Sequence, residues 1–151
     1  MAWNRILLAD SIRSMQNVGA LFRNADGASF QKLILTWHSP HPPRNDITKT
    51  ALWAEKNINW EYFSDPIYPL KELKKKGYKI YSVELNNKSN DYKTLIGNTP
   101  KKMCLVLGNE ISWVQKKILD ISDEIIMIPM NGIKESLNVS VAAGIVMYAS
   151  I

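Results

Sequence analysis

The chain has a single cysteine, Cys104, and no apolar run long enough to cross a bilayer. One cysteine excludes an intramolecular disulfide and a cysteine-rich metal site, and it suits a reducing compartment such as the cytoplasm. Residues 1–14 carry Arg5, Asp10 and Arg13, so no signal-peptide core is expected there. The longest uncharged stretch, residues 136–151, contains Ser136, Asn138, Ser140 and Ser150. It falls short of the roughly 20 apolar residues a spanning helix needs, and no membrane partner is expected. Three signatures are missing: the phosphate-loop G-x-x-x-x-G-K-[ST], the dinucleotide G-x-G-x-x-G and the hydrolase elbow G-x-S-x-G. Their absence removes the main support for three common enzyme classes. His38 and His41 share a proline-bearing loop but have no cysteine or paired carboxylate nearby, so no metal is expected. No repeat, low-complexity tract or linker interrupts the sequence.

What is present fits one globular domain. The chain has 151 residues, 46% hydrophobic and 22% charged, enough to bury roughly two-thirds of its surface without staples. The expectation is a single domain over residues 1–151, with no second domain. Lys and Arg exceed Asp and Glu by 19 to 14. The first fifty residues hold six basic against three acidic side chains, the next fifty eight against six, and the remainder five against five. The basic surplus in the first two-thirds permits a polyanionic partner. The neutral, apolar last third suits a core or a subunit interface.

Apolar runs alternate with helical periodicity. Residues 6–9, 32–37, 58–63, 79–84, 103–107 and 124–128 read as six strands. Val18, Leu21, Phe22 and Ala25 mark one helix face. Further helices are expected over residues 47–56, from Pro69 to Lys76 with Gly77 as the stop, over 114–121 and over 137–150. This order predicts an α/β fold, a mostly parallel sheet covered by helices on both faces, with ligands at the carboxyl ends of the strands. Those ends are Glu84-Leu85-Asn86, Gly108-Asn109-Glu110 and Pro129-Met130-Asn131-Gly132. The last helix is apolar nearly all round, so it is either a central core helix or packs one side on a second subunit. In a chain this short few positions can be surrounded completely, which points to a homodimer.

Three segments offer polar chemistry. Asn17 is expected as the N-cap of the first helix, with Arg23 six residues on. Glycine directly after the apolar strand 103–107 lets a ligand approach the backbone, and Glu110 can orient a polar ligand or an arginine. Ser136 and Asn138 stand at the start of the last helix, where free N–H groups favour polar ligands. Each segment alone is also satisfied by a cap, a turn or a solvated side chain.

Together these segments resemble the SpoU/TrmH group of the SPOUT RNA methyltransferases. The matching motifs are Asn17-Val-Gly-Ala-Leu-Phe-Arg23-Asn-Ala-Asp26, Leu105-Val-Leu-Gly-Asn-Glu110 and Ile128-Pro-Met-Asn-Gly-Ile-Lys-Glu-Ser-Leu-Asn-Val-Ser-Val-Ala-Ala-Gly144. Residues 47–52 and 60–62 also look like the family's middle section. The resemblance implies a C-terminal deep trefoil knot, S-adenosylmethionine (AdoMet) bound in it, a homodimer, and methyl transfer to a ribose 2′-hydroxyl of tRNA or rRNA. It implies that Gly108, Ile128 and Leu137, with Leu85 and Met130 beside them, hold the cofactor. Asn17, Arg23, Glu110, Ser136 and Asn138 match the polar residues of the catalytic pocket. A guanidinium is a poor base, its pKa lying above about 12, so Arg23 is read as positioning the hydroxyl, with Glu110 holding Arg23. Arg13, Arg44, Lys49 and the Lys74-Lys75-Lys76 run are expected to meet RNA. Two departures from the family bear on substrate choice: Ile111-Ser-Trp113 follows Glu110 where glycines are common, and Trp53 stands where a glycine is common. The alternative is a non-catalytic dimeric cofactor- or RNA-binding protein of the same fold.

Overall fold

The computed structural model describes residues 3–151. Seven strands form one sheet: β1 (Asn4–Asp10), β2 (Lys32–Thr36), β3 (Asn59–Phe63), β4 (Lys79–Val83), β5 (Asn90–Asp91), β6 (Lys102–Leu107) and β7 (Glu124–Met127). Their spatial order is β3-β2-β1-β6-β4-β7-β5, and every pairing between them is parallel. The helices are α1 (Met15–Gly27), α2 (Asn45–Ala51), α3 (Ile67–Lys75), α4 (Lys116–Ile121) and α5 (Val139–Ala149), with 3₁₀ turns at Ala54–Lys56 and Tyr92–Leu95.

The sheet is buried on both faces because its central strands β1 and β6 are apolar through their middles, at residues 6–9 and 103–107. In β1, Leu7 and Ala9 join Phe22, Leu33, Leu105 and Met147 in one cluster, on the side of α1 and α5. Ile6 and Leu8 point the other way and pack with Ile34, Leu70, Val106 and Ile118, on the side of α3 and α4. This period-two division places helices on both faces and leaves the carboxyl edge of the sheet open to loops.

Local details depart from the sequence reading in instructive ways. The N-cap of α1 is Ser14, whose hydroxyl accepts the Asn17 N–H at 3.2 Å, so Asn17 lies inside the first turn with its side chain free for other partners. The helix expected over 47–56 breaks after Ala51, because Leu52 and Trp53 both adopt left-handed backbone (φ 51° and 73°). The α4 helix begins at Lys116 rather than 114, since the Val114 N–H is taken by Glu84 and Gln115 is extended. Strand β5 is too short to leave a periodic signal. The cap of α5 is Asn138, not Ser136; its side chain accepts the N–H groups of Ser140 and Val141.

The α5 helix is not surrounded. Val139, Ala143, Val146 and Met147 are buried, whereas Val141 is 50% and Tyr148 54% exposed. Gly144 and Ile145 between them are half-buried. One side of a nearly wholly apolar helix is therefore bare in the single chain. No helix among the described residues is long and apolar enough to cross a membrane.

Candidate functional site

Three loops leaving β4, β6 and β7 meet at the carboxyl edge and line an open cleft. Parallel strands bring all their carboxyl ends to one edge, so chemistry collects there. Leu85 follows β4; Gly108, Asn109 and Glu110 follow β6; Ile128, Met130, Ser136 and Leu137 follow β7. All eight line the cleft. The walls are mainly apolar, with Val83, Leu107, Val114 and Val139 among them.

The β7 loop supplies an unusual surface. Residues 129–137 make no hydrogen bond among the described residues. Pro129 and Met130 are half-buried and residues 131–136 are exposed, so this loop leaves backbone groups without a partner in the chain. Such groups are ordinarily satisfied, and a bound polar ligand would do so here.

The β6 loop is held tightly. A Cβ on Gly108 would lie 2.4 Å from the backbone of Trp113 and Val114, so only glycine fits under that returning segment. Trp113 itself has φ 63° and donates its N–H to the Asn109 carbonyl at 2.8 Å. Asn109 Nδ2 donates to the Ser11 carbonyl at 2.8 Å, fastening this loop to the one after β1. Glu84, 9% exposed, accepts the Val114 N–H at 2.9 Å and the Leu85 N–H at 3.1 Å. Burial pushes its carboxyl above the usual range, and the two N–H donors oppose that only in part. Glu84 and Asn109 shape the cleft, yet the sequence reading gave them no role. The one signal was a polar residue directly after an apolar strand.

At the rim, three polar residues from distant segments join. Asn17 Nδ2 donates to Glu110 Oε1 at 2.9 Å, and Asn138 Nδ2 donates to Asn17 Oδ1 at 3.3 Å. This chain links the first helix, the β6 loop and the cap of α5. A second cavity beside it is lined by Arg13, Ser14, Asn17, Asn109 and Glu110. Ser136 lines the main cleft without joining this chain.

Arg23 is placed elsewhere. It is exposed and lines a separate cavity with Asn24, Thr50 and Tyr148, beside the bare side of α5. Glu110 therefore holds Asn17 rather than Arg23, because α1 turns Arg23 away from the face that carries Asn17. Arg44 and Lys49 are exposed on and beside α2 and line neither the main cleft nor the rim cavity. Within the lysine run, Lys74 bonds the Ile121 carbonyl and Asp123, and Lys75 pairs with Glu72. These contacts tie Lys74 to the end of α4 and the turn before β7, and Lys75 to its own helix.

Comparison with known proteins fits this arrangement. The chain is 31% identical over 144 residues to a tRNA (guanosine(18)-2′-O)-methyltransferase of Aquifex aeolicus, covering 95% of this chain and 66% of that enzyme. It is 29% identical to the 23S rRNA (guanosine-2′-O-)-methyltransferase RlmB of Neisseria meningitidis, covering 94% of this chain and 56% of that one. The chain thus spans somewhat over half to about two-thirds of the length of these relatives. The crystal structure of the A. aeolicus TrmH/SpoU tRNA modifying enzyme superposes with a TM-score of 0.87 at 30% identity, over 97% of this chain and 73% of that one. The profile of the SpoU rRNA methylase family matches residues 4–148, which include the cleft, its rim and the helix capped by Asn138. On that match, and on the shared fold, the chain belongs to the SpoU rRNA methylase family.

Proposed function

We propose that this chain is an AdoMet-dependent RNA methyltransferase that modifies a ribose 2′-hydroxyl in tRNA or rRNA. One observation carries the reading. The apolar cleft, with its unpartnered β7 loop backbone, opens at a rim where Asn17, Glu110 and Asn138 are already hydrogen-bonded to one another. The cleft fits AdoMet: apolar walls suit an adenosyl group, and the free backbone groups of residues 129–137 suit its ring nitrogens. Leu85, Gly108, Ile128, Met130 and Leu137 would hold it. Bound there, AdoMet supplies a methyl group activated for displacement by its sulfonium charge.

The residues of the chain do the rest. Glu84 and the glycine at 108 keep the β6 loop closed over the cleft. Asn17, held by Glu110, presents one face to a ribose arriving at the rim. Asn138 locks Asn17 from the other side, and Ser136 contacts the cofactor side. Holding two reacting centres at about 3–3.5 Å supplies much of the acceleration in such a reaction. Arg23 reaches no part of the cleft in one chain, so its action on the ribose hydroxyl requires the homodimer. The bare Val141–Tyr148 side of α5 adjoins the Arg23 cavity and is the surface through which that dimer would form. A trefoil knot in the C-terminal segment and a cytoplasmic setting complete the reading. Arg13, beside the rim, and Arg44 and Lys49, on and beside α2, would meet RNA phosphates.

The test is transfer of labelled methyl from AdoMet to total tRNA and rRNA, followed by mass spectrometry of the nucleosides. The expected product is a 2′-O-methylated nucleoside. Binding of AdoMet and RNA without any transfer would support a non-catalytic protein instead.

A further inference from the structure

Outside the cleft, the loop after β2 and the adjoining strand β3 carry a group of rings with no part in the proposed reaction. Trp37 and His38 stack with centroids 4.8 Å apart and planes inclined by 30°. His41 stacks on Trp60 at 5.4 Å and leans against Tyr62 at 5.0 Å. Tyr62 donates its hydroxyl to the Trp37 carbonyl at 2.6 Å, which joins the two stacks. Trp37 is 42% and Tyr62 40% exposed. Trp37 also holds φ at 56°, a backbone region that bulky residues avoid. A tryptophan kept in that conformation with its ring in water contributes little to the core. Trp53 differs: it is more exposed, but Lys56 Nζ already sits 4.5 Å above its ring.

The loop's position relates these rings to the cleft. The β2 and β6 carboxyl ends share one edge of the sheet, with β1 between them. Ser39 Oγ donates to the Ala9 carbonyl at 3.0 Å and accepts the Ile12 N–H at 2.8 Å. The ring-bearing loop is thereby fastened to the loop that brings Arg13 and Asn17 to the rim. Two strand spacings of about 4.8 Å separate β2 from β6, a span that a few nucleotides cover. Arg13 lines the rim cavity, and Arg44 follows the ring-bearing loop in the chain; both are exposed.

We propose that Trp37, His38, His41, Trp60 and Tyr62 form a stacking shelf for unpaired bases of single-stranded RNA next to the methylated nucleotide. The proposal rests on the RNA reading above and adds the form of RNA the chain accepts. Pre-stacked rings extend a base stack without reading its sequence, and flanking arginines neutralise the strand. Paired bases in an A-form helix cannot reach such a shelf.

The experiment measures binding of the full chain to a labelled single-stranded RNA and to the same RNA in a duplex, by anisotropy, without AdoMet. Trp37→Asn tolerates the left-handed backbone, and Trp37→Phe keeps a ring; circular dichroism checks that both fold. The expected result is a loss of about tenfold or more in single-strand affinity for Trp37→Asn, near-parental affinity for Trp37→Phe, and unchanged duplex binding. Parental single-strand binding by Trp37→Asn, equal losses on both RNAs, or no single-strand binding by the parent would each overturn the shelf. A parent that transfers methyl while Trp37→Asn binds normally refutes the shelf alone. A shelf-dependent binder that transfers nothing refutes the methyltransferase reading alone.

Discussion

Asn17 donates its side-chain amide to the Glu110 carboxylate at 2.9 Å across 93 positions of sequence. The bond lies at the surface and does not hold the core together. Replacing either residue by alanine should change stability by less than about 0.5 kcal/mol. Each variant should nonetheless lower kcat/KM for methyl transfer. In a double-mutant cycle the two should couple by about 0.5–3 kcal/mol. Kinetics of Asn17→Ala, Glu110→Ala and the double variant check this; additive losses would mean the two side chains act separately.

Glu84 carries a different weight, since it is buried and accepts two backbone N–H groups. Glu84→Ala leaves both donors unpaired and should cost about 1–3 kcal/mol in urea unfolding. The pH dependence follows from the raised carboxyl. The folded chain takes up this proton more readily than the unfolded chain, so the contribution is fully present below the unfolded carboxyl's pKa. It is lost as pH rises through the raised value. Compared with Glu84→Gln, the parent should therefore lose relative stability as pH climbs from about 4 toward neutrality. A flat difference across that window would show that Glu84 ionises alike in both states.

At Gly108 the constraint is space. The added Cβ of Gly108→Ala meets backbone atoms at 2.4 Å, and backbone cannot swing aside as a flexible side chain can. The variant should lose about 1–3 kcal/mol of stability and bind AdoMet more weakly, as read by calorimetry.

The bare side of α5 predicts a change of assembly. Val141 is half exposed, so Val141→Asp should hardly disturb a single chain yet place a charge inside the proposed dimer contact. Sedimentation should show dimers for the parent and folded monomers for the variant, with methyl transfer lost together with the dimer. A monomeric, fully active parent would remove the need for a second subunit at Arg23.

Cys104 is fully buried in β6, and desolvation pushes its thiol well above the ordinary range. It should resist alkylation at neutral pH in the native state and react at once in denaturant.

The order of strands and helices was readable because each apolar strand and each amphipathic helix announces itself within a few residues. The sequence reading also found Gly108, the Asn138 segment and the apolar last helix, since glycine after a strand and polar residues before a helix are local signs. The break at Leu52 and Trp53 was missed because left-handed backbone at those residues has no propensity signal. Asn17 was misread as a cap, since Ser14 competes for that position and only the structure shows which side chain takes it. Within one chain Glu110 meets Asn17 rather than Arg23 for a related reason: a position along a helix does not say which neighbour its face will meet.

Local chemistry along the chain thus specified the parallel α/β class, the three polar segments and the family they resemble. Tertiary structure alone settled that Asn17 meets Glu110, that Glu84 holds Val114, and that Arg23 stands apart beside α5. The reason is geometric. Periodicity and capping act over a few residues, whereas a hydrogen bond across 93 positions depends on strand order, which nothing local encodes.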